Sequence, residues 1–391
     1  IQIRNMLKNF IKEAKKIFGK SFIPLHRPIF KGNEKKYLIE CIDSNFVSTV
    51  GEKVTEFEKQ VAKFTGSKYA IAMVNGTNAL HIAIKLSGVK PGDEVISQAL
   101  TFVATCNAIS YAGARPIFID VDKDTMGMSP FALKNFLKKN AEKRSSGTYN
   151  KKTGKKITAC IPMHTFGFPC RIKKICDICA EWGIAVVEDA AESLGSYVGK
   201  KHTGTFSLMA SLSFNGNKII TTGGGGMLIT NDFNLAKQAK HITTTAKVPH
   251  SYEFIHDEIG YNYRMPNLNA ALGCAQMENL NKFLLIKKKL ANHWMDFFKK
   301  QKINIVRPIK GSKANYWLNS LVFKSKKKRD NFLNFTNSKG VMTRPVWRLM
   351  SELSMFQNCQ NDGLKNSLWL QDRIVNIPSS VPENFLEKNA K

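Results

Sequence analysis

From residue 54 to about residue 230 the chain alternates short apolar runs with helical patterns, and no other feature limits the fold as much. "YAIAMV" (69–74) precedes a helix expected over about 76–87. "DEVIS" (93–97) precedes one over about 103–112, and "RPIFIDV" (115–121) precedes "SPFALKNFLKK" (129–139). "ITACIPM" (157–163) precedes "RIKKICDICAEWG" (171–183), and "IAVVED" (184–189) follows. Such alternation predicts an α/β fold with a mostly parallel sheet covered by helices on both faces. Strands buried on both faces read as unbroken apolar runs, as these do. Ligands of such folds sit beyond the carboxyl ends of the strands. That rule puts Asn75–Thr77, Ala99–Phe102, His164 and Asp189 on one rim.

The 391 residues suit two or three domains at about 150 residues each. We expect an amphipathic basic helix over 1–21, a large α/β domain over 22–265, and over 266–391 a helical connection (267–300) leading to a smaller α+β domain. The polar stretch "AEKRSSGTYNKKTGKK" (141–156) reads as a surface loop. A hydrophobic content of 43% supports a sizeable core and argues against disorder.

The net charge of +29 favours anionic partners, although it is spread along the chain as a general lysine bias would spread it. No zinc-finger spacing, basic-leucine heptad or RNA-binding aromatic signature accompanies it, so nucleic acid is not expected. Cys176 and Cys179 form a C-x-x-C, but they continue an apolar helical pattern and no second pair stands at metal spacing. No metal site is expected. Eight cysteines without framework spacing read as free thiols in a reducing cytoplasm.

No apolar run is long enough to span a membrane. The segment "IQIRNMLKNFIKEAKKIFGK" lacks the apolar block of a signal peptide. It gathers Ile3, Met6, Leu7, Phe10, Ile11, Ala14, Ile17 and Phe18 on one helical face and Arg4 with five lysines on the other. That face is expected to dock on its own protein or a sister subunit, with peripheral contact to an anionic bilayer as the alternative.

The chemistry starts at Asp189 in "VVEDAAESLGS". A carboxylate ending a buried strand needs a cationic or hydrogen-bonding partner, unless it only caps the following helix in "DAAE". Lys218 follows in "SFNGNKIITTGGGGML" (213–228). A lysine in a partly apolar pocket loses proton affinity and becomes a Schiff-base nucleophile. Pyridoxal phosphate needs both groups: the lysine for its aldehyde and the aspartate for its pyridine nitrogen. Its phosphate needs backbone N–H groups at a helix start, which "VNGTNALHIAI" supplies at Gly76 and Thr77. Phe102 in "ALTFVATCNAI" lies just past a strand, where it can cover the ring or simply fill the core.

In order, "NGT", "TFVAT", "HTFG", "EDAAES", "SFNGNK", "TTGGGG" and "GYNYRMPNLNAALG" resemble the DegT/DnrJ/EryC1/StrS family of nucleotide-sugar aminotransferases, from about residue 22 onward. The resemblance implies the aspartate aminotransferase-like fold (fold type I), pyridoxal 5'-phosphate as cofactor and a homodimer with shared active sites. It implies Lys218 as the residue that carries the cofactor's aldehyde, Asp189 at the pyridine nitrogen and Phe102 on the ring. Gly76, Thr77 and Ser213 would hold the phosphate, and Asn262 would reach the phosphate of the other subunit's cofactor. Glu192, where many relatives have glutamine, would lie by the cofactor's phenolic oxygen, which a carboxylate repels unless it is protonated or aimed elsewhere. His164 matches a position near the cofactor or sugar, or else lines the core. Arg264 is a candidate for substrate or interface contact, or for a structural ion pair. "TTGGGG" reads as support for Lys218, since Leu228 breaks any G-x-G-x-x-G.

The implied reaction takes nitrogen from an amino acid, L-glutamate by resemblance, and delivers it to a sugar ketone for surface-glycan biosynthesis. "FIPLHRPIF", "FVSTVGEKV", "QALTFVAT", "TRPVWRLM" and "NIPSS" look closest to the legionaminic acid or bacillosamine-type branch. The substrate there is a UDP-linked 2-acetamido-2,6-dideoxy-4-ketohexose. Arg344 and Trp347 are candidates for its sugar-nucleotide end, Trp347 also for core. Two alternatives stand beside this reading. A dehydratase of the same family carries histidine in place of Lys218, and a non-catalytic anion-binding protein could use the same fold.

Overall fold

The computed structural model describes the backbone of residues 2–387 and the side chains of residues 5–386. The side chains of Ile3 and Arg4 lie outside the described residues.

The expected alternation is present. Seven strands form the main sheet: β1 (Tyr69–Met73), β2 (Glu94–Gln98), β3 (Arg115–Ile119), β4 (Ile157–Ile161), β5 (Ala185–Asp189), β6 (Met209–Ser213) and β7 (Gly226–Thr230). Their spatial order is β1-β7-β6-β5-β4-β2-β3. The pairs β6/β5, β5/β4, β4/β2 and β2/β3 are parallel, whereas β7 runs antiparallel to both β1 and β6. Six strands therefore end on one rim, where the antiparallel β7 begins. Gly226 pairs with both Met73 and Ser213 there.

Helices α1 (Gln2–Phe18), α2 (Glu34–Asp43) and α3 (Glu52–Thr65) precede the sheet. Within it lie α4 (Gly76–Leu86), α5 (Val103–Tyr111), α6 (Pro130–Asn140) and α7 (Ile172–Glu181). α8 (Phe233–Thr243) and the long α9 (Asn267–Lys300) follow. Apolar cores fill both faces of the sheet, one around Phe57, Phe118 and Phe214 and others around Ile82, Val95 and Leu133. Burial on both sides explains why the strands are apolar throughout.

Beyond α9, four short strands build a second, antiparallel sheet: β8 (Asn304–Ile305), β9 (Asn319–Val322), β10 (Arg344–Pro345) and β11 (Ile374–Ile377), in the order β8-β9-β11-β10. α10 (Lys326–Ser338) packs on this sheet. Ile23 bridges Val341, so an N-terminal residue joins this unit.

α1 docks here with its apolar face. Phe10 and Ala14 are fully buried in one core with Trp294, Phe298 and Phe332. The bilayer alternative for that face is therefore corrected: its apolar surface is already covered. The stretch 141–156 also differs from the loop reading. Ala141–Arg144 and Gly147–Asn150 form a hairpin, and buried Asn150 donates to Glu94 and Gln360 at 2.7 Å each. Its polar residues are solvated on one side and spent on a buried network on the other. All eight cysteines are unpaired.

Candidate active site

The rim of the main sheet opens into a cavity of about 400 Å³. Gly76, Thr77, Phe102, Asp189, Glu192, Ser213, Lys218 and Trp347 all line it.

The first wall is the start of α4. Asn75 has extended backbone and caps the helix, its side chain accepting from Asn78 N–H at 2.8 Å. The first N–H groups of a helix have no partner within it and favour an anion. Gly76 lets the start of α4 pack closely on β6: a Cβ there would stand 2.9 Å from Ser213 Cβ and 3.2 Å from the Leu212 carbonyl oxygen.

Asp189 ends β5 and is 4% exposed. Its Oδ2 accepts from Thr105 Oγ1 at 2.6 Å and its Oδ1 from Ala191 N–H at 3.2 Å. Burial raises its proton affinity, the Thr105 bond offsetting part of that. Such a carboxylate calls for a cation, and a protonated ring nitrogen would supply one.

Lys218 sits on the excursion between β6 and β7. Phe214 N–H donates to the Gly225 carbonyl at 2.8 Å and Thr222 N–H to the Phe214 carbonyl at 3.0 Å, closing the base of the loop. The glycines act at this closure. A Cβ on Gly226 would lie 2.3 Å from the Asn75 carbonyl group, and one on Gly225 would lie 2.0 Å from Thr222 Oγ1. The run lets β7 start against the turn before α4. Gly224 has room for a side chain.

Lys218 Nζ is 3.5 Å from Glu192 Oε1 and 3.9 Å from the centre of the Trp317 ring. The Trp317 indole N–H donates to the Asn217 carbonyl at 2.7 Å. Glu192 Oε2 accepts from Phe166 N–H at 2.8 Å. Burial pushes the Glu192 carboxyl up to about 7, against the opposing pull of Lys218 and the Phe166 N–H. A protonated carboxyl there would not repel a phenolate.

Trp347 comes from the second sheet's side of the cavity. Its ring lies 4.7 Å from Phe166 and 6.1 Å from Phe102. Phe102, at the start of α5, is 49% exposed to the cavity side of the rim.

Four candidates are not in the wall. His164 is fully buried behind Asp189: its Nδ1 accepts from Cys170 N–H at 3.2 Å and its Nε2 pairs with Glu188 at 2.8 Å. Glu188 is further held by N–H groups of Gly204, Phe206 and Ser207. The ring therefore serves the core, correcting the substrate reading. Arg344 is exposed outside the cavity wall, donating to Asn337 Oδ1 at 3.1 Å and to the Thr343 carbonyl at 3.2 Å. Arg264 bridges Met73 at the open edge of β1, and its buried Nε has no partner among the described residues. Asn262 is exposed on the same segment and bridges Thr244.

Sequence reasoning missed Thr105 and Trp317. Thr105 stands four residues after Thr101, and the two hydroxyls are 2.8 Å apart, a spacing that could have been read. Trp317 had no local signal.

The donor set fits pyridoxal phosphate: a buried carboxylate, an amine, a glycine cradle at a helix start and an aromatic cover share one cavity. Comparison with known proteins agrees. The profile of the DegT/DnrJ/EryC1/StrS aminotransferase family matches residues 28–383. GDP-perosamine synthase of Escherichia coli O157:H7 is 36% identical over 363 residues, covering 92% of this chain and 93% of that protein. Among solved structures, the aminotransferase TlmJ of Streptoalloteichus hindustanus superposes with a TM-score of 0.82 at 24% identity, over 92% of this chain and 93% of that one. Spr1654 of Streptococcus pneumoniae in its PLP form gives 0.79 at 20% identity, over 92% and 93%.

Proposed function

The chain belongs to the DegT/DnrJ/EryC1/StrS aminotransferase family, a pyridoxal-phosphate-dependent sugar aminotransferase acting on a nucleotide sugar, and from that premise we propose its substrates and the roles of its residues. The acceptor is a UDP-linked 2-acetamido-2,6-dideoxy-4-ketohexose and the donor is L-glutamate. The observation that carries the site assignment is that Asp189 and Lys218, distant in sequence, line one cavity with Gly76 and Ser213.

Bound pyridoxal phosphate supplies an electrophilic aldehyde and an electron-accepting ring. Lys218 is the amine for that aldehyde and, once released, moves the proton at the substrate carbon. Asp189 holds a positive charge on the ring nitrogen. Gly76, Thr77 and Ser213 hold the phosphate, and Phe102 covers the ring. Protonated Glu192 would donate a hydrogen bond to the phenolic oxygen. Trp347 borders the sugar end, and Trp317 keeps water from the Lys218 amine.

The active unit is a homodimer. Exposed Ile39 and Ile42 on α2, with Phe46, Val47 and Val50 just after it, support a second copy docking there. Asn262 and the unpartnered Arg264 Nε are the groups we assign to the shared site. No helix of the described residues is long and apolar enough to cross a membrane.

A GDP-linked 4-keto-6-deoxyhexose is the second reading, favoured by the relative named GDP-perosamine synthase. Purified protein incubated with cofactor, glutamate and UDP-, GDP- or TDP-linked 4-ketosugars decides between them. The UDP sugar should yield 2-oxoglutarate fastest. A preference for the GDP sugar supports the second reading, and no 2-oxoglutarate from any of them overturns both.

A further inference from the structure

A threonine inside a helix ordinarily satisfies its hydroxyl on the carbonyl one turn back. Thr65, Thr243 and Thr336 do so here, donating to the carbonyls of Val61, Ala239 and Phe332 at 2.9, 2.6 and 2.8 Å. Thr105, in the first turn of α5 and buried in the cavity wall, departs from them. Its Oγ1 is 2.6 Å from Asp189 Oδ2 and 2.8 Å from Thr101 Oγ1. Thr101 is fully buried just before α5, and its hydroxyl has one further partner among the described residues, the Met163 thioether at 3.0 Å. Met163 lies just past β4 and bridges Asp189 at the end of β5. Sulfur, hydroxyl, hydroxyl and carboxyl thus form one buried row that ties the start of α5 to the ends of two strands.

The two ends of this row are unequal, and that sets its direction. Each hydroxyl has one proton to give. With Asp189 ionised, Thr105 must donate to the carboxylate, so Thr101 donates to Thr105 and every strong acceptor is used. With Asp189 protonated and donating to Thr105, the row reverses. Thr105 then donates to Thr101, whose own proton is left with the Met163 sulfur, a weak acceptor. Oδ1 offers the proton no better place, since its partner, the Ala191 N–H, can only donate. The row therefore favours the ionised carboxyl, and a hydrogen bond to an ionised acceptor is the stronger kind. Burial works the other way, raising the proton affinity of Asp189.

We propose that Thr101 and Thr105 are positioning residues for the transfer reaction, a hydroxyl relay that orients Asp189 and holds its carboxylate ionised for the ring nitrogen. The proposal rests on the reading of Asp189 as the partner of that nitrogen. The other ionisable groups around Asp189 are Lys218, Glu192, the His164–Glu188 pair and Cys106 of α5. Among the described residues none of them hydrogen-bonds to either hydroxyl, so both threonines can be changed without unpairing any of these groups.

The test compares the full-length native chain with Thr105→Val, Thr105→Ser and Thr101→Val. Valine keeps the shape of threonine without the proton, and serine keeps the proton. In the cofactor-free protein the Asp189 carboxyl is titrated by infrared difference spectroscopy, its signal assigned by its loss in Asp189→Asn. Its apparent pKa should rise by about 1 unit in Thr105→Val, rise by less in Thr101→Val, and stay near the native value in Thr105→Ser. In the cofactor-loaded protein the visible band of the lysine–cofactor conjugate should titrate at higher pH in Thr105→Val, by roughly 0.5 unit or more. A ring nitrogen that loses its proton no longer repels positive charge on the Lys218 nitrogen. A carboxyl pKa unmoved in folded Thr105→Val overturns the proposal, as does an equal shift in Thr105→Ser, which would mark a packing effect. No shift in Thr101→Val overturns the relay, leaving a single hydrogen bond. A visible band whose pKa is unmoved in Asp189→Asn would count against the reading of Asp189 at the ring nitrogen instead.

Discussion

Glu192 carries the clearest pH consequence at the residue scale. Its folded value of about 7 lies above the ordinary 4.5 because burial disfavours the charged form. The folded, cofactor-free chain therefore prefers the protonated carboxyl. The stabilising contribution is complete below the ordinary value and is lost as pH rises through the folded one. Glu192→Gln keeps a neutral hydrogen-bonding group at every pH. Its melting temperature should fall less from about pH 5 to about pH 8 than that of the native chain, leaving it roughly 2 °C or more higher at the upper end. Equal slopes in the two proteins would contradict the buried-carboxyl account. Lys218 makes the sharper functional case. Lys218→Ala should lower 2-oxoglutarate formation by about 10³-fold or more and abolish covalent trapping of cofactor by borohydride. Mass spectrometry of the reduced protein checks this, and a trapped adduct on another lysine would move the site.

Elements place these residues, and two contacts show how. The start of β7 runs so close to the turn before α4 that Gly226→Ala would press a Cβ to 2.3 Å from the Asn75 carbonyl. This substitution should cost about 1–3 kcal/mol and weaken cofactor binding, as read by chemical denaturation and dialysis. Unchanged affinity would mean that cofactor binding does not depend on how β7 packs against the turn before α4. α1 gives the second case. Phe10 lies 5.4 Å from Trp294 and 5.2 Å from Phe332, ring centre to ring centre, and is fully buried. Phe10→Ala should destabilise by about 3–5 kcal/mol, whereas Lys12→Gln on the exposed face should stay within about 0.5 kcal/mol. Similar effects from both would mean that the helix is held by charge. The pattern of α1 was legible because a 3.6-residue period needs only the local sequence. Its partner was not, since Trp294 and Phe332 lie far along the chain.

At the scale of the whole molecule, the cavity is lined by the rim of the main sheet together with Trp317 and Trp347 from the C-terminal part. Exposed Ile42 is 58% accessible, beside Ile39 at 56% and Phe46 at 55%. A lone soluble chain gains nothing from such a cluster, and a second copy would cover it. Ile42→Asp should therefore shift the sedimentation or light-scattering mass from dimer toward monomer and reduce cofactor retention. A variant that stays fully dimeric would place the interface elsewhere.

The strands, the helices between them and the rim position of Asp189 follow from local chemistry: apolar runs, helix starts and the end of a buried strand. Seven short motifs in order were enough to indicate Lys218, Gly76 and Ser213 as well, because each is tied to a particular turn. Tertiary structure alone decided which of the polar candidates faces the cavity. His164 and Asp189 end neighbouring strands, yet one turns to Glu188 in the core and the other to open space. Trp317 under Lys218 was likewise undetectable, since burial and contact depend on chain segments that no local pattern brings together.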